Sequence, residues 1–117
     1  MSELKITDLT YLKEVTGGET EFMKEMIGIF NEQVPEFIEN MERHFANGDY
    51  IDLGKEAHKA KSSVIILGMN DLGVKMKELQ ILTEKNEAIE SYPSYIEIFK
   101  TQCQGAIEEL RKEMETL

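Results

Sequence analysis

This chain of 117 residues has one cysteine, two prolines and a shortage of positive charge. Cys103 has no second cysteine to pair with, which excludes an internal disulfide and a thiolate metal cluster. Lys and Arg number 13 against 23 Asp and Glu, for a net charge of −10. A general nucleic-acid binder needs basic surface to displace counterions from phosphates, so no nucleic-acid partner is expected. No run approaches the roughly 18 consecutive apolar residues of a membrane span, and no signal peptide opens the chain. The expectation is a cytoplasmic protein without a membrane partner, complete from Met1 and monomeric. Gly17-Gly18 is not followed by Gly-Lys-Ser/Thr, so it is no phosphate loop, and the chain has no room for an ATP-binding kinase domain.

What is present favours helix: Glu, Lys, Met, Leu and Ile dominate, and β-branched alternation is sparse. The pattern predicts a short helix over Asp8–Val15, ended by Gly17-Gly18. A long second helix starts near Glu19 and carries Phe22, Met26, Ile29, Phe30, Gln33, Phe37, Met41 and Phe45 at three- and four-residue steps. The steps run through Pro35, which predicts one bent helix rather than two. Asn47-Gly48 stops it. Asp49 is expected to cap a third helix running to Leu67, and Asn70 or Asp71 to start a fourth with Leu72, Met76, Leu79 and Leu82 on one side. A last helix follows Pro93 and Ser94 and buries Ile96, Phe99, Cys103, Ala106, Leu110 and Met114. Methionine is read as adaptable core filler. The predicted fold is all-α, an antiparallel up-down four-helix bundle with a short extra N-terminal helix, forming one domain over residues 1–117.

His58 stands outside this scheme. Leu53, Ala57, Ala60, Val64 and Leu67 form the buried seam of the third helix, and His58 lies about 140° from its centre. Gly54 and Ser62 lie within about 40° of His58 in direction, and Ile51 and Ile65 within about 20°. Lys55 and Lys61 flank the strip. An apolar strip rimmed by charge suits a docking surface. His44 and His58 lack a His-x-x-x-His spacing, so no zinc site is expected, and none of the other residues suggests a resident cofactor.

The run Ala57-His58-Lys59-Ala60-Lys61-Ser62-Ser63, with Gly68 ending the helix, resembles the motif of histidine-containing phosphotransfer (HPt) domains. That family's usual run is Ala-His-x-Leu-Lys-Gly-Ser. Ala57, His58, Lys61, Ser63 and Gly68 match it in register, and the segment from Phe30 to Gln33 is similar to the family's second helix. Ala60 stands where Leu is usual, and Ser62 where Gly is usual. Ser62 therefore adds a hydroxymethyl group where a partner must approach.

The resemblance implies that His58 takes a phosphoryl group from an aspartyl phosphate of one receiver domain and passes it to another. The partners are then receiver domains of response regulators and hybrid histidine kinases, which supply the Asp and the Mg²⁺. Such a carrier has no ATP-dependent kinase activity of its own. Neutral imidazole is a good nucleophile at physiological pH, and phosphoryl transfer asks mainly for positioning and charge stabilisation. Lys61 is expected to offset phosphoryl charge and Gln33 to orient the imidazole. Ile51, Gly54, Lys55, Ser62 and Ile65 are the expected receiver contacts. Ser63, on the inner side, is expected to tie the third helix to a neighbour. The alternative is a helical adaptor that binds a receiver, or another protein, without carrying phosphate.

Overall fold

The computed structural model describes residues 6–116, which form five α-helices and one 3₁₀ turn, with no strand among them. They are α1 (Thr10–Val15), α2 (Thr20–Ala46), α3 (Tyr50–Ile66), α4 (Asn70–Lys85) and α5 (Tyr92–Met114), with the 3₁₀ turn over Ile89–Ser91. Helices α2 to α5 pack in a closed ring, each against two others, as an up-down bundle. No helix among the described residues is long and apolar enough to cross a membrane.

Pro35 lies within the 27 residues of α2 without dividing it. A helix of that length spans about 40 Å, nearly the 43 Å long axis of the molecule. Its buried stripe is Met23, Ile27, Phe30, Val34, Phe37 and Met41. The expected stripe is therefore turned aside in the first half of the helix: Phe22 is 42% exposed and Ile29 46%. Two overlapping apolar stripes share Phe30, Phe37 and Met41, and packing against α3 and α5 selects between them. Asp49 sits at the start of α3 as expected, but its side chain makes no capping bond.

The core joins these residues to Leu53, Ala57, Ala60 and Val64 of α3, Leu72, Met76 and Leu79 of α4, and Ile96, Phe99, Cys103, Ala106 and Leu110 of α5. Methionines 23, 41, 69 and 76 are all buried in it, as flexible filler should be. Burial pushes the Cys103 thiol up to about 12, so it packs as an inert small hydrophobe. The last helix begins earlier than its Pro93 suggests. Tyr92 is fully buried, stacks edge-on against Tyr50, and its hydroxyl reaches the carbonyls of Leu82 (3.0 Å) and Glu87 (2.7 Å). This fastens the α4–α5 connection to the bundle.

At the opposite end, the segment before α1 is held by Glu109 of α5, whose carboxylate accepts from the N–H of Ile6 (2.9 Å), the N–H of Thr7 (3.1 Å) and the Thr7 hydroxyl (3.0 Å). The Asp8 N–H donates to the carbonyl of Leu67 at 2.9 Å, docking α1 on the α3–α4 turn. That turn is made by Gly68 at φ +75°, and a Cβ there would run into the backbone of Asp8. Gly68→Ala should therefore cost about 1–2 kcal/mol for the left-handed residue and about 1–3 kcal/mol for the overpacking. A urea titration should show the midpoint falling at unchanged slope. A loss no larger than the backbone cost of about 1–2 kcal/mol would mean that α1 does not press on this turn.

Candidate functional site

Helix α3 presents three sectors. One is the seam in the core. A second faces α4, where Gly54 and Gly73 allow close approach: a Cβ on Gly54 would strike the Thr83 hydroxyl, and one on Gly73 would come within 2.9 Å of Ile65 Cγ1. A third meets α2. There the Ser63 hydroxyl donates to Gln33 Oε1 at 3.0 Å, and Asn40 Nδ2 donates to the buried Glu56 at 3.0 Å. Ser63 thus ties α3 to its neighbour as its inner position requires. What remains open is an arc carrying Ile51, Asp52, Lys55, His58, Lys59 and Ser62, all exposed.

His58 stands at the edge of that arc nearest α4. Its Nδ1 lies 3.2 Å from Gln80 Oε1, and Gln80 Nε2 donates to Glu84 Oε2 at 3.5 Å. The ring is exposed, yet one nitrogen is engaged. A cavity of about 350 Å³ opens beside it, lined by Ile51, Gly54, Lys55, Lys59, Gln80 and Glu84. Lys59 is drawn back to Glu56 at 3.7 Å. Among the described residues, Lys55 and Lys61 enter no ion pair, so their charge is uncommitted. Lys61 is half-buried, with its stem beside Gly73 and one helical turn along from His58.

Three expectations change. Gln33 does not orient the imidazole. It faces the α2–α3 seam with Ser63, about 140° round α3 from His58, and Gln80 of α4 holds the ring instead. Gly54 is buried under α4 against Thr83 and lines the cavity beside His58 rather than the exposed arc. Ile65 is half-buried over Gly73 and turns towards Tyr11 of α1, away from the open arc. Both residues lie near His58 in direction around α3, but α4 covers that side of the helix.

Gln80 escaped the sequence reading because it adjoins the buried Leu79 and interrupts no apolar stripe. Only the distance between α3 and α4 reveals its partner. The exposed Phe22 and Ile29 were also missed as surface residues. Ile29 shares a small cavity with Ile66, so the open face of α3 continues onto α2.

Among the described residues, one group has the donors to hold a metal ion: His44, Asp49 and Asp52 at the α2–α3 turn, with donor atoms within 4.8 Å of one another. Both carboxylates are solvent-exposed, and none of the three lines the cavity beside His58.

No curated protein and no solved structure matches the chain significantly. A protein-family model does: the Hpt domain, over residues 25–117, a span that contains α3 with His58 and α4 with Gln80. The match extends over well more than half of the sequence, and the chain belongs to the Hpt domain family.

Proposed function

We propose that the protein relays phosphoryl groups between aspartates of receiver domains in a two-component phosphorelay, with His58 as the carrier. Membership of the Hpt family supports a phosphotransfer role in two-component signalling. The observation that carries the residue assignment is an exposed imidazole that, among the described residues, has a partner at one nitrogen only. With the Gln80 carbonyl oxygen as acceptor, the neutral ring carries its proton on Nδ1 and keeps its lone pair on Nε2.

In this reading Nε2 attacks the phosphorus of an aspartyl phosphate. The N–P bond forms as the P–O bond to the carboxylate breaks, and the carboxylate leaves with the electron pair. Nδ1 keeps its proton throughout, and its hydrogen bond to Gln80 strengthens as positive charge develops on the ring. The reverse step delivers the group to a second receiver. The receiver supplies the aspartate and Mg²⁺. Lys61, one turn from His58, offsets charge on the phosphoryl oxygens, with Lys55 further along the arc. Ile51, Lys55 and Ser62 meet the receiver, and Ile29 and Phe22 extend that apolar contact onto α2. The protein acts as a monomeric cytoplasmic carrier and does not phosphorylate itself from ATP.

Incubation with a phosphorylated receiver and Mg²⁺ should give acid-labile, base-stable label that disappears in His58→Gln. A receiver complex without label would point to the adaptor reading, and label surviving in His58→Gln would remove His58 from the role. Lys61→Ala should slow transfer about tenfold, the equivalent of one charge-assisted hydrogen bond of about 1.4 kcal/mol, at unchanged helicity. A wild-type rate would show that the ammonium does not reach the phosphoryl group.

The two glutamines should separate cleanly. Gln80→Ala should slow transfer several-fold with little effect on stability. Gln33→Ala should lower stability by about 1 kcal/mol, through the orphaned Ser63 hydroxyl, and leave transfer unchanged. The opposite pattern, with transfer lost on changing Gln33, would restore the role expected from the sequence.

A further inference from the structure

We infer that Glu84 is a positioning residue that decides which nitrogen of His58 is the nucleophile. The consequence for phosphotransfer rests on the carrier reading of His58, whereas the tautomer itself does not.

A glutamine beside an imidazole is ambiguous. Its amide ends are nearly equal in size, one only accepting hydrogen bonds and the other only donating. With its oxygen turned to Nδ1, the ring proton sits on Nδ1 and Nε2 is free to attack. With its nitrogen turned to Nδ1, that atom must accept, the proton moves to Nε2, and the outward nucleophile is lost. Nothing in the His58–Gln80 contact alone chooses between these states.

Glu84 makes the choice. It lies four residues beyond Gln80 on α4, where side chains on one face meet. Its Oε2 is 3.5 Å from Gln80 Nε2. An ionised carboxylate offers no proton, so it attracts the amide nitrogen and repels the amide oxygen. The oxygen is thereby turned to His58 Nδ1 at 3.2 Å. All three side chains line the same cavity, which Gly54 lines as well. Lys55 and Lys59 line it too, yet among the described residues no ion pair joins either of them to Glu84.

Substituting the outer end of this relay should therefore turn the inner end over. In Glu84→Lys the ammonium donates to the Gln80 oxygen, presents the amide nitrogen to Nδ1 and drives the ring proton to Nε2. In Glu84→Gln the new amide can accept or donate, so the bias is lost and both orientations of the Gln80 amide should be populated. The readout is ¹⁵N NMR of the neutral, unphosphorylated imidazole in the folded protein. Wild type should show a protonated Nδ1 and an unprotonated Nε2, Glu84→Lys the reverse, and Glu84→Gln a mixture of the two. Glu84→Lys retaining the wild-type tautomer, or wild type showing a protonated Nε2, would overturn the inference. In the transfer assay Glu84→Lys should be slower by about tenfold or more. A reversed tautomer at wild-type transfer rate would keep the relay but refute the nucleophilic role of His58 Nε2. Failure of the carrier reading is thus distinguishable from failure of the relay.

Discussion

Two side chains are absent from the seam between α3 and α4, and the site depends on their absence. Gly54 lies against Thr83, and Gly73 lies under Ile65, each where a Cβ would strike its neighbour. The two helices consequently approach closely enough for a side chain as short as Gln80 to reach His58. A wider separation would leave the imidazole solvated at both nitrogens, with its tautomer set by water. The close approach fixes the ring while leaving it exposed, two properties that usually exclude one another.

The other flank of α3 is held differently. Glu56 and Ser63 bond to Asn40 and Gln33 of α2, so the helix is pinned by polar contacts on that side and by close packing on the other. Between these flanks the open arc carries three lysines, counting Lys61 at its edge, on a protein of net charge −10. Lys59 lies 3.7 Å from Glu56, whereas Lys55 and Lys61 enter no ion pair among the described residues. Docking of α1 on the Gly68 turn and the Tyr92 lock at the far end keep the frame from shearing around the site.

The contrast between Gln33 and Gln80 shows how far periodicity reaches. Gln33 attracted attention because an amide on an apolar stripe needs a partner, and it has one in Ser63. Gln80 disturbs no pattern along α4, so no argument confined to one helix could single it out. The stripe of α2 has the same lesson in apolar form. Phe22 and Ile29 satisfy helical spacing as well as Met23 and Ile27 do, and only the positions of α3 and α5 decide which set is buried.

Helix count, order, turns and the outward direction of His58 were legible in the amino-acid sequence, because each follows from local chemistry: spacing along one helix, glycine at left-handed turns, and motif register. Continuity of α2 through Pro35 was equally readable. The identity of the imidazole's partner, the burial of Gly54 and the turning of Ile65 onto Gly73 were decided by tertiary structure alone. Each is a distance between α3 and α4, and the periodicity of a single helix contains no information about how near its neighbour stands.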